Sequence, residues 1–111
     1  ALMAARRGAL SCDHLEQATA EDAAALAASG TVAVLLPVAF HCLATERKPP
    51  IAALRAAGTC MAVASDCNPG SAPGASLLLA MSMATRLFGL TEQEVLAGVT
   101  RNAARALGLQ G

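Results

Sequence analysis

Residues 31–36 have the sequence TVAVLL, a continuous run of β-branched and aliphatic side chains. An apolar run without polar alternation is typical of a strand buried on both faces, as in a parallel sheet. A second such run, MAVA, occupies residues 61–64, and a shorter apolar segment precedes an Asp-His pair near residues 9–14. Alanine-rich and leucine-rich segments separate the runs. The alternation of strand and helix predicts an α/β fold built from βαβ units.

The predicted strands cover residues 9–14, 31–37 and 61–66, with helices between and after them. Each strand-plus-helix unit is then roughly 25–30 residues long, the expected size of a βαβ unit. Three parallel strands make an incomplete sheet. They fit a sector of an eight-stranded (β/α)₈ barrel or half of a doubly wound sheet. We therefore expect residues 1–111 to form one domain with an incomplete parallel sheet.

Capping residues mark several helix boundaries. Thr19 is a predicted N-cap, and Thr91 opens a capping box three residues before Glu94. Another helix is predicted over residues 74–88, and a loop over residues 37–48. The last helix is expected to bury one apolar stripe, formed by Leu96, Val99, Ala103 and Leu107.

The composition excludes some partners. Eight basic and eight acidic residues give no net charge, so nothing indicates a nucleic acid or an anionic lipid as partner. Two uncharged stretches, residues 23–45 and 67–85, contain glycine and proline turn signals, which argue against membrane spans. The chain is 55% hydrophobic and 14% charged, less polar than a small free-standing domain should be. We therefore expect a fragment of a larger protein, whose apolar faces meet other parts of it.

The cysteines indicate the compartment. Cys12, Cys42, Cys60 and Cys67 are far apart and form no C-x-x-C pair. This pattern favours free thiols in a reducing environment. With no signal-peptide pattern at the start of the sequence, it predicts a cytoplasmic protein.

Polar groups follow the predicted strands, at the edge where parallel α/β folds collect their functional residues. His14 ends the first strand, residues 37–41 follow the second, and Asp66 ends the third. A carboxylate and an imidazole facing one cavity could supply a general base or metal ligand and a hydrogen-bonding partner for a carbonyl. Spacing alone leaves structural alternatives open. His14 could belong to a turn or cap, Asp66 could form an Asx-turn, and His41 could lie on the surface.

Four sequence blocks resemble the imidazolonepropionase family of metal-dependent amidohydrolases. They are SCDHLE at residues 11–16, GTVAVLLP at 30–37, MAVASDCNPGS at 61–71 and TRNAA at 100–104. The resemblance implies a (β/α)₈ barrel in which these strands are the sixth, seventh and eighth, so that residues 1–111 would form one partial barrel domain. It also implies one Zn²⁺ or Fe³⁺ ion and hydrolysis of the ring amide of 4-imidazolone-5-propanoate to N-formimidoyl-L-glutamate.

The same resemblance implies roles for individual residues. Asp66 would bind the metal and take a proton from the attacking water. His14 would hydrogen-bond the substrate carbonyl or the water. Asn68, Gly70 and Ser71 would hold the small-molecule substrate and the product's carboxylate, for which open backbone N–H groups are suited.

The sequence departs from the family at Val38 and His41, where glycine and tyrosine are usual. The first-strand His-x-His pair, the fifth-strand histidine and the arginine and tyrosines that bind substrate are absent. A catalytic metal needs about three protein ligands, so we expect this chain alone to be inactive and not to bind the ion tightly. A homodimer is expected for the whole protein.

Two alternatives remain. One is a fragment of another metal-dependent amidohydrolase, such as a deaminase or a dihydroorotase-like enzyme. The other is a non-catalytic α/β module that needs a partner to cover its apolar surface.

Overall fold

Strands and helices alternate along the chain in a computed structural model that describes residues 1–109. No helix within that range is both long enough and apolar enough to cross a membrane. In chain order the elements are α1 (Leu2–Arg6), β1 (Ser11–Asp13), α2 (Ala20–Ser29), β2 (Val32–Leu35), α3 (Pro37–Cys42), α4 (Ile51–Ala57), β3 (Met61–Val63), α5 (Leu77–Phe88), α6 (Glu92–Val99) and α7 (Arg101–Ala106).

The strands form one parallel sheet in the order β1-β2-β3. This confirms the predicted α/β class with a parallel sheet. Each strand is shorter than predicted, but the hydrogen bonding continues past its end. The His14 N–H donates to the Val34 carbonyl at 3.0 Å, and the Ala64 N–H donates to the Leu35 carbonyl at 3.1 Å. The ladders therefore lead directly toward His14 and Asp66.

Helices cover both faces of the central strand, all four residues of which are buried. Leu26 of α2 and Leu54 of α4 are fully buried, and these two helices pack on each other. Helix α7 contacts β2 and β3, and its Ala103 lines a cavity together with Val34 and Ala62. Val34 and Ala62 are register partners, so they point to the same face of the sheet. The continuous apolar run is thus explained by burial on two sides.

The predicted loop over residues 37–48 is wrong in its first half, which forms helix α3. Pro37 occupies the first turn, where its missing N–H costs nothing. The helix buries Phe40, whose ring meets Phe88 of α5 edge-on with centroids 5.2 Å apart. Tertiary packing against α5 therefore makes this short segment helical.

Two further boundaries differ from the prediction. Helix α5 begins at Leu77 and not at residue 74, because the Ser76 side chain accepts a hydrogen bond from the Leu79 N–H and caps the helix there. The last predicted helix is broken at Thr100, whose φ of −118° and ψ of −101° are not helical. The break separates α6 from α7.

The predicted apolar stripe is wrong at both ends, although Val99 in its middle packs against the core. Leu96 is 59% exposed and Leu107 is 69% exposed, while α6 instead buries Val95 and Gly98. Residues at helical spacing on the two sides of Thr100 do not share one helix face, because the helix is broken there. The capping boxes predicted at Thr19 and Thr91 are both confirmed.

Side chains and helix backbone cover the outer edge of β3. The Asn102 Nδ2 group donates a 2.7 Å hydrogen bond to the Met61 carbonyl. Helix α6 passes so close that a Cβ added to Gly98 would lie 3.3 Å from the Val63 backbone nitrogen. A side chain at position 98 would therefore require the helix or the strand to shift by a few tenths of an ångström.

Candidate functional site

His14 and Asp66 face each other across the carboxyl edge of the sheet. The His14 Nε2 and Asp66 Oδ2 atoms are 3.8 Å apart. The two residues follow β1 and β3, which flank β2, so their strands lie roughly 9–10 Å apart, twice the usual strand spacing. Both side chains must therefore lean over the end of β2. They remain accessible, since the His14 side chain is 45% exposed and that of Asp66 is 34% exposed.

A third side chain joins this pair. Glu16 Oε1 lies 3.7 Å from His14 Nδ1, on the opposite side of the ring from Asp66. The Glu16 side chain is only 13% exposed. The imidazole is thus placed between two carboxylates, one largely buried and one open to a ligand.

The backbone adopts left-handed conformations at this edge. φ is 69° at both His14 and Leu15, and 50° at Asp66. Such values are uncommon outside glycine and cost on the order of 1–3 kcal/mol each when the surroundings enforce them. Here they turn the chain sharply where β1 and β3 end, which brings the imidazole and the carboxylate together.

The loop after Asp66 is held by the Asn68 side chain. Its Oδ1 accepts hydrogen bonds from the N–H groups of Gly70 and Ser71 at 2.9 and 2.8 Å. Its Nδ2 donates to the Asp66 carbonyl at 2.8 Å and to the Ser71 hydroxyl at 3.0 Å. The Asx turn is therefore formed by Asn68 and not by Asp66. The Asp66 carboxylate faces His14 instead.

This bonding corrects one expectation about the loop. The N–H groups of Gly70 and Ser71 are not open, because both already donate to Asn68. In this loop region the positive φ lies at Asp66 and not at Gly70. An anion could reach these N–H groups only by displacing the amide oxygen of Asn68.

The two departures in the segment after β2 lie in different environments. Val38 is buried in α3, whereas His41 is exposed near the end of the same helix. The surface position predicted for His41 is confirmed. Val38 belongs to the hydrophobic core.

The residues present do not make a complete metal site. Within residues 1–109, no three His, Cys, Asp or Glu side chains come close enough together to hold an ion. Asp66 and His14 place an accessible carboxylate beside an imidazole, which is fewer groups than a metal site needs. A metal held here would need further ligands from residues beyond this chain.

The sequence patterns did not predict that Glu16 lies beside His14. Its only sequence signal was its position two residues after His14, which in a continuing strand places both side chains on one face. The strand ends at Asp13, and it is the left-handed turn at His14 and Leu15 that brings Glu16 to the ring.

A second cavity, of about 490 Å³, lies at the opposite end of β3 and is lined by Arg55, Cys60, Glu94 and Arg101 among others. Arg55 and Glu94 form a bidentate ion pair with distances of 2.7 and 2.9 Å. The hydrogen bonds from Arg55 lower the pKa of Glu94 to about 2, and burial raises the pKa of the Cys60 thiol. This cavity contains none of the predicted site residues, and the ion pair ties α4 to α6.

No protein-family model matches the chain, but individual proteins do. It is 61% identical over 108 residues to an imidazolonepropionase of Ruegeria sp. (strain TM1040), covering 97% of this chain and 27% of that protein. It is 62% identical over 110 residues to one of Verminephrobacter eiseniae, covering 99% of this chain and 24% of the relative. A Rhizobium meliloti imidazolonepropionase is 60% identical over 111 residues, covering all of this chain and 27% of the relative. The chain spans about a quarter of the length of these proteins, and over that quarter it is a relative of the imidazolonepropionases.

Proposed function

We propose that this chain forms part of a hydrolase that opens the ring amide of 4-imidazolone-5-propanoate and yields N-formimidoyl-L-glutamate, a step of histidine degradation. The observation that carries the proposal is the 3.8 Å approach of His14 to Asp66. It occurs in a chain 60–63% identical to proteins named imidazolonepropionase.

The proposed architecture is a (β/α)₈ barrel in which β1, β2 and β3 are the sixth, seventh and eighth strands. Its support is the sequential order of three parallel strands, connected by helices, with polar groups at their carboxyl ends. In such a barrel the outer edges of β1 and β3 would pair with strands that this chain does not contain. The contacts of Gly98 and Asn102 with the edge of β3 would have to adjust to that pairing.

Asp66 is the residue proposed to contribute one ligand to a zinc or iron ion, with the other ligands supplied from outside this chain. When bound, such an ion polarises a carbonyl oxygen and makes water more acidic. The accessible carboxylate of Asp66 is suited to this role, because neither of its oxygens is used by a neighbouring loop.

The chain's own residues would move protons and orient the substrate. Asp66 accepts a proton as water adds to the ring carbonyl carbon. The ring C–N bond then breaks, and the departing nitrogen takes up the proton that Asp66 accepted. His14 hydrogen-bonds the carbonyl oxygen or the water from the opposite side.

Asn68, Gly70 and Ser71 are retained as the proposed binding loop for the substrate or product carboxylate. The loop is already shaped by Asn68, and the Ser71 hydroxyl lies beside the Asn68 amide. Binding through the N–H groups of Gly70 and Ser71 requires the carboxylate to replace the Asn68 oxygen as their acceptor.

The test is an assay of the complete protein, meaning this chain together with the portion that the relatives carry beyond it. Asp66→Ala should abolish hydrolysis of 4-imidazolone-5-propanoate and lower the bound metal. His14→Ala should reduce turnover while leaving most of the metal in place. His41→Ala, at the exposed histidine, is the matched control and should retain wild-type activity.

Unchanged turnover in Asp66→Ala would remove that residue from the mechanism. Loss of the ion in His14→Ala would make His14 a metal ligand instead. Wild-type turnover of cytosine or dihydroorotate, with none of the imidazolone, would assign the protein to another amidohydrolase. No turnover by a metal-loaded, folded complete protein would favour the non-catalytic module.

A cytoplasmic location, a small-molecule substrate and a homodimer complete the proposal. The cytoplasmic location is supported by the four free thiols. Sedimentation of the complete protein would establish whether it is a dimer.

A further inference from the structure

We propose that Glu16 is a positioning residue for His14, fixing the tautomer and orientation of the ring so that Nε2 faces Asp66. The inference rests on the proposed function for its catalytic meaning. The geometry itself is independent of any substrate.

The imidazole has one carboxylate at each nitrogen. Glu16 Oε1 is 3.7 Å from Nδ1, and Asp66 Oδ2 is 3.8 Å from Nε2. The two acids differ in exposure, because Glu16 is largely buried and Asp66 is open. The buried acid is therefore suited to hold the ring, and the open acid is suited to meet a ligand.

The chain around Glu16 is built to keep it in place. The Leu15 N–H donates to the Asp13 carbonyl at 3.0 Å, which closes a tight turn, and the Leu15 side chain is buried as an anchor. The Ala18 N–H then donates to the Leu15 carbonyl at 3.0 Å. Arg47 reaches the Ala18 carbonyl at 3.4 Å from another segment. The position of Glu16 is thus set by backbone and packing.

The 3.7 Å separation is longer than a hydrogen bond. Hydrogen bonds of catalytic groups are often long in structures without substrate and shorten when the substrate is bound. Closing a gap of this size would bring Glu16 Oε1 within hydrogen-bond distance of His14 Nδ1. Once closed, the bond requires Nδ1 to carry the proton, since a carboxylate is only an acceptor.

The consequence concerns the other nitrogen. When Nδ1–H is donated to Glu16, Nε2 of the neutral ring is left as an acceptor on the side of Asp66. This is the arrangement of a base oriented by a third group. His14 would then accept a hydrogen bond from the water or from protonated Asp66, which selects the water and not the carbonyl oxygen as its partner.

The first test reads the tautomer without any turnover. The complete protein in its zinc form is labelled with ¹⁵N-histidine, and the His14 signals are assigned by their loss in His14→Gln. The ¹⁵N shifts of the wild type should show Nδ1 protonated and Nε2 unprotonated. A wild-type ring protonated at Nε2, whether alone or together with Nδ1, would overturn the proposal, whatever the variants do.

Two variants of similar size extend this test. Glu16→Gln keeps an acceptor oxygen and should retain the tautomer. Glu16→Met removes the acceptor and should shift His14 toward the Nε2–H form. A folded Glu16→Met protein with the wild-type tautomer would contradict the assignment.

The second test separates positioning from binding. Glu16→Met should lower kcat for the imidazolone about 10- to 100-fold, the usual effect of losing a partner that orients a histidine, with KM changed less than about threefold. Glu16→Gln should recover most of the loss, and Glu92→Gln, on the exposed first turn of α6, should match the wild type. Equal kcat in Glu16→Met and wild type would overturn the positioning role. An inactive wild type with the Nδ1–H tautomer would instead refute the proposed function alone.

Discussion

At the scale of single residues, the chemistry depends on where two strands end and how sharply the chain turns there. That His14 and Asp66 follow two strands is readable from the sequence, because apolar runs precede them, although the strands end earlier than predicted, at Asp13 and Val63. Their approach to 3.8 Å is not readable, since it depends on left-handed backbone at non-glycine residues. The pattern Asn-Pro-Gly-Ser indicates only a turn, so it does not predict that the Asn68 side chain holds the loop.

Asn68→Ala should destabilise the protein and the site together. The substitution leaves the N–H groups of Gly70 and Ser71 without their acceptor and removes the bond to the Asp66 carbonyl. We expect the free energy of unfolding to fall by about 1–3 kcal/mol, measured by urea denaturation. Cys67→Ala, at an exposed neighbour in the same loop, should change it by less than about 0.5 kcal/mol. Equal stability of the two variants would mean that Asn68 does not hold the loop.

At the scale of elements, capping signals were the most reliable part of the prediction. Thr19 and Thr91 begin helices as expected because their side chains satisfy local backbone donors. Helix α3 and the break at Thr100 were missed because they depend on contacts distant in sequence. Phe40 packs against Phe88, and the Asn102 side chain donates a hydrogen bond to the edge of β3.

Gly98→Ala should test the close crossing of α6 over β3. Alanine favours a helix by up to about 1 kcal/mol relative to glycine, but here its methyl group would meet Val63 side-chain and backbone atoms at 3.2–3.3 Å. Overpacking costs typically about 1–3 kcal/mol, so we expect a net loss of about 1 kcal/mol in thermal or urea unfolding. Gly74→Ala is the control, since nothing lies within 4 Å of its added Cβ. Stabilisation by Gly98→Ala would contradict the close contact.

The ion pair between Arg55 and Glu94 should make stability depend on pH in the acid range. The pKa of Glu94 is lowered from 4.5 to about 2, first by the hydrogen bonds from Arg55. A lowered pKa in the folded state stabilises the protein above the unfolded value. That contribution is lost as the pH falls from about 4.5 toward 2. Urea midpoints should therefore fall less steeply over this range in Glu94→Gln than in the wild type, and parallel profiles would rule out the pair as the cause.

At the scale of the whole molecule, the low charge content has a structural counterpart. Many large apolar side chains are exposed, namely Met3, Leu10, Leu43, Leu77, Leu78, Leu79, Leu96, Leu107 and Leu109. Composition predicted this surplus of apolar surface. Composition does not predict which faces carry this apolar surface. Leu96 and Leu107, for example, were expected to be buried and are exposed.

The proposed barrel explains this exposure as surface covered by the remaining strands and helices. On size-exclusion chromatography, this chain alone should associate, while the complete protein should elute as one defined species. The complete protein should also be the more stable of the two, because burial of apolar area contributes about 25 cal/mol per Å². A monomeric, cooperatively melting 111-residue chain would count against the partial barrel.

The most direct measurement of the central claim is a crystal structure of the complete protein loaded with zinc, with the ion located by anomalous scattering. The account predicts an Asp66 carboxylate oxygen at about 2.0–2.2 Å from the ion, with His14 beside it and outside the coordination shell. An ion bound elsewhere, or an Asp66 carboxylate turned away from both the ion and His14, would contradict it.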